Sequence, residues 1–269
     1  MSDFSFQRNA KITITDTVIK DSFELIENKI EFKVEKSINS FPNLSEIKIT
    51  NPSEDFVNFS KRENLKIDLE TGYFEEELDI LFTGDLKRAY YGNPNVDNVF
   101  VIEAGDSEKG ITEAFLSKSY INKVQKRTIV KDCINLLDID ILTTTLNKIT
   151  GTYNGGFVAF ERCVDILNIV LGSLGFEWSI QNNQLLISTK GETNNIDFFE
   201  LSYESGLIDK PVELQDGGLL LKAHIDTKFI PHKTVSLNVE GFEGFYQIRQ
   251  AIMNGDNEEG MWEGRLIVE

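Results

Sequence analysis

Seven consecutive residues, Lys29-Ile30-Glu31-Phe32-Lys33-Val34-Glu35, alternate charge and hydrophobe without a break. Successive side chains of a strand point to opposite faces, so Ile30, Phe32 and Val34 must share one face and the charges the other. The same period recurs at Ile12 and Ile14, at Ile47 and Ile49, and at Leu65, Ile67 and Leu69. It returns in Leu78-Asp79-Ile80-Leu81-Phe82-Thr83-Gly84-Asp85-Leu86 and in Val99-Phe100-Val101-Ile102-Glu103-Ala104. Turn residues separate these runs at Asn51-Pro52-Ser53, Gly72 and Gly92-Asn93-Pro94. Six half-buried segments punctuated in this way predict an antiparallel sheet or barrel in the first hundred residues.

The middle of the chain changes period. Ile129, Cys133, Leu136 and Leu137 fall on one helical face, predicting a helix over Thr128 to Leu137. A second helix is predicted from Phe160, Cys163, Val164, Leu167, Val170, Leu171 and Leu174, with Gly175 at the position after its end. Phe176-Glu177-Trp178-Ser179-Ile180 then alternates. Asn182-Asn183 suits a hairpin turn that needs positive φ, and Leu185-Leu186-Ile187 returns along the partner strand. Segment 106–127 has weak periodicity and reads as a connector or functional arm.

The C-terminal stretch is again β. Leu219 to Ile225 reads as one strand and Val235, Leu237 and Val239 as another. Tyr246, Ile248, Gln250 and Ile252 are expected to share a face, and Trp262 to Val268 to close the sheet. Asp216-Gly217, Glu243-Gly244 and Asn254-Gly255-Asp256 are the turns. The order is β-domain, α/β insert, β-domain.

Charge narrows the function classes. Against 27 Lys plus Arg stand 44 Asp plus Glu, a net charge of −17 over 269 residues. Binding to nucleic acid in general, or to anionic lipid, needs a basic face that this balance does not favour. Only Cys133 and Cys163 are present, so a disulfide scaffold is excluded and a cysteine zinc site is not expected. The first residues lack the apolar core of a signal peptide, and Ile166 to Phe176, the longest nearly apolar stretch, is too short to span a bilayer. A protein made and kept in a cytoplasm, or built into a particle there, is expected.

No catalytic constellation emerges. His224 falls in a strand and His232 in a turn, and structural roles are expected for both. Cys133 and Cys163 lie on apolar helical faces and read as core thiols. Glu75-Glu76-Glu77 and Glu258-Glu259 read as solvated charge at strand ends and turns. Nothing fixes a carboxylate pair across a cleft, as a glycosidase needs. Tyr153-Asn154-Gly155-Gly156-Phe157 reads as a loop leading into the second helix, because the phosphate-binding glycine motifs are absent. No catalytic, cofactor-binding or metal-ligating residue is assigned, and no cofactor is expected.

Four segments, in order, resemble the tail hub, or baseplate hub, proteins of tailed phages and related contractile injection systems, including the Mu-like and late-control-D-like hubs. The first is Leu81-Phe82-Thr83-Gly84-Asp85-Leu86-Lys87-Arg88-Ala89, followed by Val101-Ile102-Glu103-Ala104-Gly105-Asp106-Ser107-Glu108, with Ser107 where such hubs usually carry glycine. The second is Gly151 to Ser188. The third is Glu204-Ser205-Gly206-Leu207-Ile208-Asp209-Lys210-Pro211, continuing through Asp216-Gly217-Gly218-Leu219. The fourth is Tyr246-Gln247-Ile248-Arg249, Asn254-Gly255-Asp256 and Trp262-Glu263. Pro231-His232 departs from the Pro-Gly such hubs tend to have, and a turn needing positive φ would be strained there.

The resemblance implies an α+β, mainly β fold. Two related antiparallel β-barrel, tail-tube-like domains (1–110 and 196–269) would flank a connector arm and small α/β domain (111–195). It implies a non-enzymatic structural virion protein, a homotrimeric hub adapting a sixfold tail tube to a threefold central spike and forming part of the central channel. Implied partners are the spike, the tail tube or a tube-initiating protein, the tape-measure protein and baseplate wedge proteins, with DNA only as transient channel cargo and no membrane anchor. The implied location is the tail tip or baseplate of a virion, after synthesis in the bacterial host cytoplasm. If part of the −17 faces the channel, like-charge repulsion would keep cargo from adhering; acidity that merely maintains solubility is the plainer reading. The competing class is a carbohydrate-binding or hydrolytic β-module of a tail tip. The aromatics, 19 Phe against 7 Tyr and 2 Trp, favour core packing over sugar platforms.

Overall fold

The computed structural model describes residues 8–39, 41–73, 77–92, 98–215 and 217–269. Asn93, Pro94, Glu75, Glu76, Asp216 and residues 1–7, which entered the sequence reading, lie outside the described residues. Strands account for 48% of the chain and helices for 16%. The chain divides into a β unit (Met1–Ser37, Asn43–Gly105, Thr193–Glu269) and an α/β unit (Ile38–Pro42, Asp106–Glu192).

The N-terminal part of the β unit contains β1 (Arg8–Asp16), β2 (Ser22–Leu25), β3 (Ile30–Ser37), β4 (Leu44–Thr50), α1 (Glu54–Phe59), β5 (Leu65–Tyr73), β6 (Asp79–Tyr91) and β7 (Val99–Gly105). Every alternating run of the sequence is a strand here, and the apolar members are the buried ones: Ile30, Phe32 and Val34 of β3 face inward. Helix α1 was not expected. Ser53, read as a turn residue, caps it by accepting a hydrogen bond from the Phe56 N–H at 3.2 Å. Phe56, Val57 and Phe59 are thereby buried.

The α/β unit runs α2 (Glu108–Glu113), β8 (Phe115–Tyr120), β9 (Val124–Gln125), α3 (Lys126–Leu137), α4 (Thr143–Lys148), β10 (Thr152–Tyr153), β11 (Phe157–Arg162), α5 (Cys163–Gly172), β12 (Glu177–Gln181) and β13 (Gln184–Ser188). The connector at 106–127 is therefore structured. Helix α3 buries Val130 and Ile134 beside Ile129, Cys133 and Leu137, while Leu136 is exposed. The second predicted helix begins later than its apolar spacing suggested. Phe160 belongs to β11 and is 67% exposed, so Tyr153 to Phe157 leads into a strand and not into a helix. The end of α5 matches expectation: Phe176 N–H donates to Leu171 O and Gly175 N–H to Gly172 O, a Schellman closure with Gly175 at φ 76°. Asn182 and Asn183 form the β12–β13 turn with φ of 50° and 63°.

The C-terminal part of the β unit adds β14 (Phe198–Leu201), β15 (Val212–Glu213), β16 (Leu219–His224), β17 (Thr234–Leu237), β18 (Gly244–Asp256) and β19 (Trp262–Val268). All but β14, which pairs parallel to β17, are antiparallel to their neighbours. The expected common face of Tyr246, Ile248, Gln250 and Ile252 does not hold. A bulge between Ile248 and Gln250 switches the phase, so Ile248 and Met253 are buried while Ile252 turns toward solvent.

The strands of the β unit join in one 13-stranded sheet, which is not closed. Its path is β15-β16-β19-β18-β3-β4-β7-β6-β5-β1-β2, with β17 pairing β14 and β18 off that path. The seam between the N-terminal and C-terminal strands is β18 against β3, in register from Gln250↔Ser37 to Asp256↔Glu31. Alternation reveals which face of a strand is buried but not which distant strand lies beside it, so this seam was invisible in the sequence. A single core runs beneath both parts, including Ile12, Ile30, Phe82, Phe100, Phe229, Met253 and Leu266. Gly255 is required at the seam, because a Cβ there would lie 2.2 Å from the Phe32 ring.

Candidate assembly surface of the β unit

Two strands, β6 and β18, are 13 residues long, and both change partner along their length. Along β6, Asp85 pairs with Lys66 of β5 on one edge and with Gly105 of β7 on the other. Along β18, Gln247 pairs with Thr234 of β17 on one edge and exchanges both backbone hydrogen bonds with Glu269 on the other. Each long strand forms a hairpin with a seven-residue strand, β7 or β19. That strand in turn pairs with the second strand of another hairpin, β3–β4 or β15–β16. The order β3-β4-β7-β6-β5 thus repeats as β15-β16-β19-β18-β17.

The solvent face across these strands is a polar ladder. Glu263, Asn254, Lys33, Glu46, Glu103 and Arg88 stand side by side in register across β19, β18, β3, β4, β7 and β6. Opposite charges hold one another. Arg88 donates to Glu103 through Nη2 at 2.6 Å and Nε at 3.0 Å, and the Tyr90 O–H donates to the same carboxylate at 3.0 Å. The Arg88 hydrogen bond, against opposing burial, keeps the Glu103 carboxyl below the usual carboxylate range. Burial draws the Glu263 carboxyl up, but Lys222 at 2.8 Å and Arg265 at 3.1 Å outweigh it and hold that group low. The ladder is charged but close to balanced.

The net charge lies elsewhere on the β unit. The α/β unit holds 9 of the 27 basic and 10 of the 44 acidic residues, which leaves 18 against 34 in the β unit. Much of that excess sits in turns, such as Glu258 and Glu259, whose N–H groups donate to Asp256 Oδ1 at 2.9 and 3.1 Å. A groove of about 820 Å3 lies in the β unit between the start of β6 and β14, lined by Ile80, Phe198, Phe199, Thr234, Asp226 and Lys228. The sequence held no signal for it, since β14 was not predicted.

The residues weighed as catalytic or ligating candidates are not brought together. His224 ends β16 opposite Glu263, and His232 lies in a turn at φ 71°, the strained left-handed geometry expected of a histidine at that position. Ser107 likewise adopts φ 51°. Cys133 and Cys163 are both buried in the α/β core, and their mutual hydrogen bond, with burial, pushes the Cys133 thiol up. Glu77 is exposed, and Tyr153 stacks on Phe157 with ring centroids 4.9 Å apart. Among the described residues no group of three or more His, Cys, Asp or Glu could hold a metal ion, and no helix is long and apolar enough to cross a membrane.

No protein-family model matches the chain, and no curated protein sequence matches it. Solved structures do. A 43 kDa tail protein of prophage MuSo2 from Shewanella oneidensis aligns over 97% of this chain and 98% of its own, with 9% identity and a TM-score of 0.67. The tail protein from Neisseria meningitidis MC58 aligns over 96% of both chains at 10% identity and a TM-score of 0.59. An Escherichia coli component of the type VI secretion system, described as similar to the T4 bacteriophage tail proteins gp27 and gp5, aligns over 90% of this chain and 74% of its own at 9% identity and 0.57. The chain therefore has the mainly β fold of phage tail proteins, over essentially its whole length. The resemblance to tail hubs carried by the sequence segments agrees with that fold.

Proposed function

We propose that the chain is a non-enzymatic structural component of a phage tail or related injection apparatus, and that it works as a hub. The observation that carries this reading is the repeated strand order, β3-β4-β7-β6-β5 and β15-β16-β19-β18-β17, within a fold matched end to end by tail proteins. One chain then supplies two tube-like domains, and the α/β unit is the insertion between them.

Duplication answers a symmetry problem. Three identical chains cannot present six similar contacts to a sixfold tube unless each carries the contact twice. A homotrimer of this chain would present six such half-sheets on one side and a threefold surface for a central spike on the other. The type VI secretion component among the structural neighbours, likened to gp27 and gp5, supports a spike-facing position at the tail tip or baseplate. Tube and tape-measure proteins would then be neighbours as well, baseplate wedge proteins would lie outside, and DNA would only pass through.

We assign the polar ladder from Glu263 to Arg88 to the channel side. Its interspersed acids and bases, with Arg88 on Glu103 and Lys222 and Arg265 on Glu263, leave few unpaired charges for passing cargo to grip, while the acidic excess on turns maintains repulsion at longer range. The test is electron microscopy of assembled particles with a gold-labelled antibody to this chain. Label confined to one end of the tail is expected; label absent from tails, or spread along them, would overturn the hub reading.

A further inference from the structure

The groove between the start of β6 and β14 is bordered by two strands that each have an edge to spare. Strand β14 pairs with β17 on one edge and meets no strand on the other among the described residues. Strand β6 meets β7 only from Asp85 onward, so Asp79 to Gly84 have no strand on that edge among the described residues. Alternation decides which groups of β14 are turned outward. The Leu201 carbonyl accepts from the Asn238 N–H on the β17 side. Backbone groups of successive residues point to opposite edges, so Phe199 also faces β17, while Phe198 and Glu200 face away. The Ser205 Oγ donates to the Glu200 carbonyl at 3.1 Å on that outward edge. Ser205, Phe198 and Glu200 all line the groove, so the outward edge opens into it.

The walls specify what the groove would take. Ile80 and Phe198 are 47% and 42% exposed, and Phe245 meets Phe198 edge to face with ring centroids 5.0 Å apart. That apolar area is open to solvent. Four carboxylates of the lining, Asp79, Asp197, Glu200 and Asp226, stand against two lysines, Lys228 and Lys233. Lys228 lies 3.9 Å from Asp226 and Lys233 lies 3.6 Å from Asp197. Glu200 Oε1 accepts from the neutral Asn238 amide at 3.0 Å, which leaves its charge in place. Four acids against two bases leave a double negative charge, carried by Asp79 and Glu200.

We propose that this groove binds an extended segment of a partner protein in which an apolar and a basic residue stand two apart, added as a strand to the outward edge of β14. Phe198 and Glu200 are themselves two apart, so their side chains share one face of β14. Directly opposed side chains of paired strands touch, so the apolar residue meets Phe198 and the basic one meets Glu200. The Phe198 N–H and C=O and the Glu200 N–H supply the backbone bonds. Asp79 and Ile80, at the start of β6, line the opposite wall. Main-chain bonds of this kind give affinity, and the side-chain contacts on the exposed face give specificity. The inference stands apart from the hub reading and does not use it.

The test uses the purified full-length chain and a synthetic peptide, Thr-Lys-Thr-Val-Thr-Lys-Thr, acetylated and amidated. As a strand its Val and both Lys share one face, and it reads the same in either direction. Titration calorimetry should show saturable binding, and none for the same peptide with Glu in place of Lys or with every backbone nitrogen methylated. Asp79→Lys should weaken binding several-fold, whereas Glu258→Lys, the same charge change at an exposed turn outside the groove, should not. Hydrogen exchange should slow at the Phe198 and Glu200 amides when the peptide is bound. Absence of saturable binding below about 1 mM would overturn the proposal. Equal losses from Asp79→Lys and Glu258→Lys, equal affinity for the methylated peptide, or protection confined to other strands would do the same. Self-association of the chain that Asp79→Lys abolishes would give the groove to a second copy and also overturn it. The particle labelling above decides the tail reading separately.

Discussion

Asp85 and Gln247 play the same part in the two halves of the sheet. Each is the residue at which a 13-residue strand is paired on one edge with the strand before it in sequence and on the other with its hairpin partner. Beyond Gln247 the strand goes on to meet β3, and the two halves become one sheet. The predictions below address that seam, the α/β unit and the charges.

The seam depends on close approach at Gly255. A methyl group there meets the Phe32 ring at 2.2 Å, with backbone pairing on both edges of the strand to resist a shift. Gly255→Ala should cost about 2 kcal/mol through overpacking. Adding Phe32→Leu should recover part of that in a denaturant titration, and equal stability of Gly255→Ala and the parent would contradict the geometry.

Asp106, buried to 1% exposure, accepts hydrogen bonds from the N–H groups of Asn182 at 2.6 Å and Asn183 at 3.0 Å, pinning the β12–β13 turn. Asp106→Ala leaves those donors without their acceptor and should destabilise the α/β unit by about 2 kcal/mol. Hydrogen exchange should show lost protection first at Asn182 and Asn183. Unchanged protection there would remove Asp106 from this role.

Acid sensitivity follows from four carboxyls held below the usual range: Glu103, Asp132, Glu192 and Glu263. For Asp132, burial pulls upward, but hydrogen bonds from Lys118 at 2.7 Å and Tyr120 at 2.5 Å prevail. A carboxyl whose folded pKa is depressed binds protons more readily when unfolded. Its stabilisation is therefore complete above the unfolded value, near 4, and is lost as pH falls through the folded value. Thermal midpoints should be flat from about pH 7 to 5 and should drop below about pH 4. Asp132→Asn should shallow that drop; an identical profile would remove Asp132 from the set.

His232 adopts φ 71°, where a side chain costs energy that glycine avoids. His232→Gly should be stabilising by about 0.5 kcal/mol in a thermal melt. A clear loss of stability would mean that the imidazole's contacts outweigh the backbone strain.

Much of this fold was legible because alternation is a local signal. Ile30, Phe32 and Val34, or Leu65, Ile67 and Leu69, are buried as their spacing requires. Where the reading failed, one residue or one distant partner was responsible. The bulge at Arg249 reversed the faces of Ile248 and Ile252, and no local pattern announces a bulge. Phe160 continued the apolar spacing of α5 by coincidence and is an exposed strand residue, meeting Phe115 edge to face at 5.2 Å. Helix α1 was hidden because Ser53 serves a turn and a helix cap equally well. The seam of β3 with β18 joins positions more than two hundred residues apart, beyond any periodicity.

The central claim is that one chain contributes two equivalent half-sheets, so that three chains make a ring with six. Copy number in the assembled particle tests it most directly, by cryo-electron microscopy of tails with local symmetry left unimposed. Three copies forming a ring of six similar lobes at one end of the tail are the expected result. Six copies, or a single copy, would contradict it.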